Sequence, residues 1–405
     1  MTEQMTAPLP LRDEDGAIRA DFVAEAAHAV ATADVPALRE LVDGLHESDL
    51  GGLLVALKPD DRPRLIELLG LDFDFTALTE VDDTVREEIL DELESRTVAD
   101  GVRDIETDDA VTILADMPRE ERGEILGHLP AEERIALTRS LDYPEDSAGR
   151  RMQTEFISVP LDWNVGRAID YMRETAELPE QFYELYVVEE GGRFLGAVPL
   201  DRLLRSKRPV SIAELMEAER RRVPANEDQE AVARLFQRYD LVAAPVVDAD
   251  DRLVGVITFD DVADVIEEEA EEDIKALGGV KADEELSDSV WTIARGRFAW
   301  LLVNLATAFL ASSVLGFFEG SLQKMVALAV LAPIVASQGG NATTQTMTIA
   351  VRALATQTLS DANARRVILR ELTVGLFNGL AFAVITGVAA TIWFQTPGLG
   401  VVIGL

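Results

Sequence analysis

The stretch FAWLLVNLATAFLASSVLGFF, from Phe298 to Phe318, decides the broad architecture of this chain. It contains 21 residues and no charged side chain, and as an α-helix it would be about 30 Å long at roughly 1.5 Å per residue. That length matches the hydrocarbon core of a bilayer. The stretch therefore predicts a transmembrane helix.

Two further uncharged stretches follow the first. They run from Met325 to Ala350 and from Leu372 to Phe394, and the residues from Gly398 to Leu405 look like the start of a fourth span. The sequence ends before that fourth span could cross a bilayer. We therefore expect an all-α transmembrane domain with three spans and the beginning of another.

The second uncharged stretch carries polar side chains on one helical face. They are separated by three or four residues: Gln338, Asn341, Gln345 and Thr348. Polar groups at this depth either line a wet pathway or hydrogen-bond to neighbouring helices. Pro333, followed by Gly339 and Gly340, is typical of a bent or locally opened helix, which favours a pore wall.

Basic residues predict the orientation of the spans. Arg295 and Arg297 precede the first span, and four arginines separate the second from the third: Arg352, Arg365, Arg366 and Arg370. Because positive residues favour the cytoplasmic side, we expect the N-terminal domains to be cytoplasmic. The first twenty residues lack the apolar core of a secretory signal.

Charge divides the chain into two parts. Its 405 residues include 37 basic and 74 acidic ones, a net charge of -37. Residues 1–290 hold 30 basic and 71 acidic residues, a net of -41, whereas the remainder has a net of +4. An acidic soluble part argues against nucleic acid as a partner and favours cations. The absence of cysteine excludes disulfides and thiolate metal sites.

The soluble part begins with a helical region. Between residues 34 and 142, runs such as RPRLIELLGL at 62–71 and VREEILDELES at 85–95 place Leu and Ile at three- and four-residue spacing. Carboxylates such as Asp82 and Asp83 stand where helices would begin, where they favour the helix dipole. We expect an all-α helical-repeat domain here.

An internal duplication follows the helical region. LYVVEEGGRFLGAVPLDRLL at 185–204 matches APVVDADDRLVGVITFDDVA at 244–263, and equivalent positions such as Gly196 and Gly255 are 59 residues apart. Each copy predicts two strands joined by a turn and followed by a helix. The pattern indicates a tandem α/β module.

The duplicated segment resembles a tandem pair of cystathionine-β-synthase-type (CBS) domains. Together with YPEDSAGRRM at 143–152, PIVASQGGNATTQT at 333–346 and VRALAT at 351–356, the chain resembles the MgtE family of magnesium channels from about residue 35 onward. The resemblance implies this order of segments: an N-terminal extension at 1–33, a helical N domain at 34–142, CBS repeats at 143–207 and 208–263, an acidic connecting ("plug") helix at 264–290 and a transmembrane domain at 291–405.

The resemblance implies a homodimeric magnesium transporter of the inner or plasma membrane, gated by intracellular Mg2+. Members of the family have five membrane helices, the last of which carries a pore aspartate. Because this sequence stops near the start of the fourth helix, we expect it to be incomplete at its C-terminus, in preference to a non-conducting remnant.

The acidic segment TFDDVADVIEEEAEEDIKAL at 258–277 contains nine carboxylates between Asp260 and Asp273, and we expect its helix to lead straight into the membrane. Mg2+ prefers oxygen ligands and keeps several waters. The resemblance implies Mg2+ ligands at Glu230, Asp240, Asp261, Asp264, Glu269 and Glu272. The acidic partners in the helical domain align poorly with the family; we expect them to be Asp108 and Asp109, with Gly149 offering a carbonyl. The alternative is a solvated helix in a salt-adapted, acid-rich protein.

Thr258 and Asp261 also fit the CBS nucleotide pattern, in which the two side chains hold a ribose. The first repeat has Pro199 and Arg202 at the equivalent places, so ATP is expected at one site at most. No Ser-His-Asp set, Walker loop or HExxH motif is present, and we do not expect an enzyme. Two other functions stay open: a CBS-regulated carrier for Co2+ or for Mg2+ efflux, and a membrane-anchored adenylate or ionic-strength sensor without a pore.

Overall fold

The computed structural model describes residues 11–14, 16–115, 117–175, 178–179, 181–285, 287–355, 359 and 361–404. The chain forms two compact units. The first extends to Glu268 and includes the short segment Glu285–Ser287, and the second consists of Glu269–Glu284 and the residues from Asp288 onward.

The first unit begins with a helical domain. Its elements are α1 (Ala20–Thr32), α2 (Val35–Val42), α3 (Glu47–Ala56), α4 (Asp61–Leu69), 3-10 turns at Gly70–Asp72 and Phe75–Leu78, α5 (Asp83–Glu92), α6 (Ser95–Arg103), α7 (Thr107–Ala115), α8 (Arg119–His128) and α9 (Ala131–Leu141). Their apolar faces meet in one core, in which Leu54, Ile66 and Leu114 are fully buried. Burial of these faces stabilises helices that would be too short to persist alone.

The tandem α/β module follows in the same unit. Its elements are β1 (Ser158–Pro160), α10 (Val165–Glu174), β2 (Glu184–Val188), β3 (Phe194–Pro199), α11 (Leu200–Arg205), α12 (Ile212–Leu215), β4 (Val223–Pro224), α13 (Gln229–Tyr239), β5 (Ala243–Val247), β6 (Leu253–Thr258) and α14 (Phe259–Gly278). The strands form two sheets of the same design, β1-β2-β3 and β4-β5-β6. In each sheet the first pair is parallel and the second antiparallel.

The two repeats exchange edge segments around equivalent glycines. A Cβ on Gly196 would lie 2.6 Å from the carbonyl oxygen of Glu217, and one on Gly255 would lie 2.6 Å from Sδ of Met152. Glycine is therefore required at both places, because any side chain would push the crossing segment away. The crossing segments join each sheet to the chain that leads into the other repeat.

The last helix of the module differs from its prediction in two ways. Helix α14 is continuous from Phe259 to Gly278, so the boundary that we predicted at 263/264 falls inside it. The expectation that this helix leads straight into the membrane is wrong. It ends at Gly278, and Gly279 then turns the chain with a left-handed φ of 67°, a conformation that glycine adopts without steric cost.

The second unit contains the apolar helices. They are α15 (Val290–Gly316), α16 (Glu319–Lys324), α17 (Val326–Ala355), α18 (Asp361–Phe394) and α19 (Pro397–Gly404). Three of these, at Val290–Gly316, Val326–Leu354 and Ala362–Phe394, are long and apolar enough to cross a bilayer. Helix α17 continues through Pro333, so the expected local opening is not seen; a single proline removes only one helical N–H donor. The predicted fold class, with a helical domain, an α/β pair and apolar helices, is confirmed.

Candidate cation site at an acidic junction

The helical domain and the α/β pair meet at the first turn of α7. The backbone N–H of Thr107 donates to Oε2 of Glu155 at 3.2 Å, and its hydroxyl donates to Oε1 at 2.6 Å. Beside this contact, Gln153 Nε2 donates to Glu106 Oε2 at 3.0 Å. Glu155 thus supplies the acceptor that the start of α7 needs, and it fixes the position of the following residues.

The start of α14 lies on the other side of the same contact. The hydroxyl of Thr258 donates to Oδ2 of Asp261 at 2.6 Å, and the Thr258 N–H donates to the same oxygen at 3.3 Å. A side chain that returns to the N-cap residue in this way stabilises the first turn. It also fixes the direction of the Asp261 carboxylate.

These two helix starts bring carboxylates together. Asp108 of α7 and Asp261 of α14 are hydrogen-bonded to each other, although 153 positions separate them in the sequence. Further carboxylates lie close enough to repel them. We call this set the acidic junction: Glu106, Asp108, Asp109, Asp260, Asp261 and Asp264.

Burial and like charge change the protonation of the acidic junction. Burial, followed by the Asp261 and Asp109 charges, raises the pKa of Asp108 well above its usual range. Loss of solvent and the neighbouring carboxylates raise the pKa of Asp109 to about 7 and that of Asp264 to about 6. Burial also raises the pKa of Asp261. At neutral pH the junction therefore favours a bound proton or a cation over full ionisation.

The donor set fits a hydrated divalent cation better than a dehydrated one. In the residues that the structure describes, no three Asp, Glu or His side chains already surround one point where a metal could sit. The carboxylates instead meet as a pair across two domains. Mg2+ is commonly bound by one or two carboxylates while it retains several waters, so the pair suits this ion.

Two other predicted ligands lie on α13. Glu230 forms an ion pair with Arg234 one turn later, at 2.6 Å. Asp240 is the C-cap of the helix, with a left-handed φ of 51°. Across the described ranges, no hydrogen bond or ion pair joins either residue to the acidic junction, so the structure does not bring them into this site.

The remaining predicted ligands are dispersed. Glu269 and Glu272 lie beyond Glu268 on α14, within the second unit. Gly149 lies against the ring of Tyr143, where a Cβ would be 2.5 Å from the ring, and its N–H donates to the carbonyl of Ala225 at 2.7 Å. None of these observations adds a ligand to the acidic junction.

Sequence reasoning missed several charges around the junction. Glu80 and Glu268 raise the pKa of Asp264, and Asp74 raises that of Asp109. Arg151 acts in the opposite direction on Asp264, and it forms an ion pair with Glu268. Arg151 lies within the YPEDSAGRRM segment, which was a signal for its importance; Glu80 and Asp74 had no comparable signal.

The four polar residues predicted to line a pore share one groove in the second unit. Gln338, Asn341, Gln345 and Thr348 of α17 face Glu371, Asn378 and Thr386 of α18 across it. The groove has a volume of about 1030 Å³. Six waters occupy roughly 180 Å³, so the volume of the groove exceeds that of six waters.

The predicted nucleotide residues are only partly placed for a ribose. Thr258 lines a small cleft with Glu184 and Tyr186. Asp261 is not among the residues that line that cleft, and its carboxylate contacts Thr258 and Asp108 instead. The structure therefore brings Asp261 to the acidic junction rather than to the cleft.

Three sequence families match successive parts of the chain. Residues 45–146 match the MgtE intracellular N domain, residues 148–208 and 212–268 match the CBS domain, and residues 332–405 match the divalent cation transporter family MgtE. The magnesium transporter MgtE of Thermus thermophilus is 33% identical over 377 residues, which cover 92% of this chain and 84% of that protein. The magnesium transporter MgtE of Bacillus subtilis is 28% identical over 365 residues, or 90% and 81%.

Two solved structures of magnesium transporters also match about 60% of this chain. The soluble part of a magnesium transporter matches with a TM-score of 0.56 and 28% identity, over 62% of this chain and 98% of that one. The cytosolic domain of the Mg2+ channel MgtE in complex with ATP matches with a TM-score of 0.55 and 30% identity, over 60% and 99%. Because a relative that is 33% identical is covered over 84% of its length and the family models match successive parts of the chain, the chain belongs to the MgtE family.

Proposed function

We propose that this protein transports Mg2+ across the cell membrane and that the acidic junction is its cytoplasmic Mg2+ sensor. Family membership supports the transport activity. The observation that supports the sensor is the hydrogen bond between Asp108 and Asp261, because it brings two carboxyl groups together where two domains meet.

The sensor works by a balance between repulsion and bridging. At low Mg2+ the ionised carboxylates of the junction repel one another across the contact between the helical domain and α14. A divalent ion held between them with its waters replaces repulsion by attraction to both sides. The hydrogen bonds of Glu155 and Gln153 hold the same two surfaces in register, so the ion changes the strength of the contact and not its position.

The transport pathway runs along the groove between α17 and α18. Gln338, Asn341, Gln345 and Thr348 supply oxygens that hydrogen-bond to the waters of a hydrated ion, which lowers the cost of its passage. A second copy of the chain completes the wall of the pathway in a homodimer. Cysteines at Asn341 and Gln345 should react with a water-soluble thiol reagent, and protection of both with reaction at Ala342 would contradict this assignment.

Transport and sensing are tested together in proteoliposomes. We expect the purified protein to transport Mg2+ when the Mg2+ concentration on the side of the first unit is low. Transport should be inhibited as that concentration rises. Alanine at Asp261, Asp264 or Glu272 should leave transport active at Mg2+ levels that inhibit the unmodified protein. Absence of any Mg2+ flux, or stronger flux of Co2+, would reject magnesium transport; variants that insert normally but never transport would reject the bridging mechanism.

The other predicted Mg2+ ligands and the segment boundaries remain predictions. Magnesium titration of single alanine variants tests the ligands outside the junction: Glu230, Asp240, Glu269 and Glu272. Limited proteolysis tests the boundaries at 33/34, 142/143, 207/208, 263/264 and 290/291. Whether the carbonyl of Gly149 binds Mg2+ is tested by measuring how Mg2+ changes hydrogen exchange at the amides around it.

ATP binding is a second part of the proposal, and a similar cytosolic domain with ATP bound supports it. The second repeat supplies Thr258 at the cleft, whereas Asp261 would have to exchange Asp108 for a ribose hydroxyl. ATP binding should therefore compete with the contact between Asp261 and Asp108. Calorimetric titration with ATP, with and without saturating Mg2+, measures this competition, and equal affinities would reject it.

A further inference from the structure

Arg151 lies beside the acidic junction on a segment whose backbone is fixed to the second CBS repeat. Before it, the N–H of Gly149 donates to the carbonyl of Ala225 at 2.7 Å. After it, Gln153 and Val256 each donate an N–H to the other's carbonyl at 2.9 Å. Because the backbone is hydrogen-bonded on both sides, the position from which the Arg151 side chain extends is defined.

The Arg151 guanidinium contacts the first helix and the last helix of that repeat. Its Nε donates to Oε1 of Gln229 at 3.1 Å, at the start of α13, and the Gln229 side chain belongs to a residue that is only 6% exposed. Its Nη2 forms an ion pair with Glu268 of α14. A guanidinium is planar and its N–H groups point in fixed directions, so these two acceptors define its orientation.

The same guanidinium acts on the carboxylates that form the acidic junction. Asp261, Asp264 and Glu268 are separated by three and four positions, so they share one face of α14. Arg151 and Asp261 line the same small cleft. Burial raises the pKa of Asp264, and the Arg151 charge acts in the opposite direction. A permanent positive charge therefore lies along the row of carboxylates that would hold Mg2+.

The first repeat shows that the CBS scaffold does not need this arrangement. In each repeat a methionine of the crossing segment lies against the equivalent glycine. The residue before that methionine is Leu215 in the first repeat and Arg151 in the second, and the helix of the repeat begins with Val165 or Gln229. Leu215 and Val165 pack in the apolar core of the first repeat. Apolar residues thus serve the fold at both positions, and the guanidinium has another role.

We propose that Arg151 is a built-in cation that sets the Mg2+ concentration at which the acidic junction responds. It rests on the proposed sensor function and names a residue that regulates it. A fixed positive charge opposes the approach of a second cation, and a unit charge changes the binding of a divalent ion severalfold even at a separation of about 8 Å in water. Arg151 thereby keeps the Mg2+ affinity of the junction lower than its carboxylates alone would give.

Hydrogen exchange on the full chain in lipid nanodiscs tests this inference without a flux measurement. The quantity measured is the Mg2+ concentration that gives half-maximal protection of the α7 amides. At low ionic strength Arg151→Gln should lower this concentration about tenfold, because the competing charge is lost. Arg151→Lys keeps the charge and should stay within about twofold of the unmodified protein. Glu268→Gln should raise the concentration, because a negative charge is lost and Arg151 can then pair with Asp264.

The matched control is Arg208→Gln. Arg208 lies in the first repeat and pairs with Asp170, so this variant changes the net charge equally but outside the acidic junction. It should leave the Mg2+ concentration for half-maximal protection unchanged. If Arg151 only attached α14 to the preceding segment, Arg151→Gln would loosen the junction and raise that concentration. A raised or unchanged value in Arg151→Gln, or an equal decrease in Arg208→Gln, would overturn the inference.

Failure of the proposed function would give a different result. If Mg2+ protects α7 in neither the unmodified protein nor Arg151→Gln, the sensor and this inference fail together. If Mg2+ protects α7 at a concentration that does not depend on Arg151, the sensor is supported and only this inference fails. If the protein transports no Mg2+ but the concentration shifts as expected, the inference is supported and only the transport function fails.

Discussion

The two CBS repeats have one strand design and two different last helices. The first repeat ends in α11, six residues that follow Pro199, whereas the second ends in α14, twenty residues that follow Thr258. At the position of Asp261 the first repeat has Arg202, which pairs with Glu217 at 2.8 Å. The second repeat instead places Asp261 against another carboxylate.

The sensor that we propose depends on this difference between the repeats. In the first repeat, opposite charges satisfy each other, so an added cation has little to bind. In the second, carboxyl groups are held together by caps and domain contacts, so their full ionisation carries an electrostatic cost that a cation can remove. Four predictions separate the repeats, beginning with the largest effect.

The largest effect should come from Asp261→Asn compared with Arg202→Asn. We expect the Asp261 variant to raise the Mg2+ concentration for half-maximal inhibition of flux about a hundredfold, because a bridging carboxylate is lost. The Arg202 variant should leave that concentration unchanged. Flux against Mg2+ on the side of the soluble unit measures both, and equal shifts would show that the repeats do not differ in sensing.

The second prediction compares Gly255→Ala with Gly196→Ala. Both should lower the free energy of unfolding by about 1–3 kcal/mol, because each Cβ would overlap a crossing segment. Only Gly255→Ala should also weaken the Mg2+ response, since its crossing segment, Met152–Gln153, leads to Glu155 and α7. Denaturant unfolding and the flux assay measure the two effects; a weakened Mg2+ response in Gly196→Ala would contradict the asymmetry.

The third prediction concerns pH. The contact raises the pKa of Asp109 from 3.8 to about 7 and of Asp264 to about 6, so the docked state binds more protons than the separated one. Docking should be strongest below pH 4 and weaken as the pH rises through 6 and 7. Without Mg2+, exchange protection of α7 should fall over this range while that of α10 in the first repeat stays constant. Saturating Mg2+ should remove this pH dependence. Protection of α7 that rises with pH in the absence of Mg2+ would contradict the prediction.

The smallest effect should come from Thr258→Val. Loss of the hydroxyl that donates to Asp261 should cost about 1 kcal/mol of local stability at the start of α14 and a few-fold in the Mg2+ response. Pro199→Ala in the first repeat should change neither. Amide exchange in the first turn of α14 measures the local effect, and an unchanged rate would mean that the backbone alone fixes Asp261.

Patterns along the sequence predicted the fold well. The periodicity of the helical region, the 59-residue duplication and the uncharged stretches each report local geometry or burial, which the chain encodes within a few tens of residues. The course of the chain after α14 was predicted wrongly, because a run of acidic and apolar residues does not reveal that Gly279 must turn. The close approach of Trp300 to that glycine is a tertiary contact.

The site was predictable only in part. Asp108, Asp109, Asp261 and Asp264 were predicted, and the structure brings them together. The other charges around them depend on how α7 docks on the CBS pair. No local sequence pattern predicts that arrangement. Glu80 and Asp74 were missed for this reason, and Glu230 is instead paired with Arg234 within its own helix.

Two helices of the helical domain take their first acceptors from elsewhere: α7 from Glu155 and α5 from Glu285. The ribosome therefore finishes synthesising this domain long before the residue that caps α5 is made. At about 5–20 residues per second, the 202 positions between Asp83 and Glu285 represent a delay of about 10–40 s. During that interval the start of α5 is bonded to water, and the domain reaches its final stability only when the segment leading to the membrane has been synthesised.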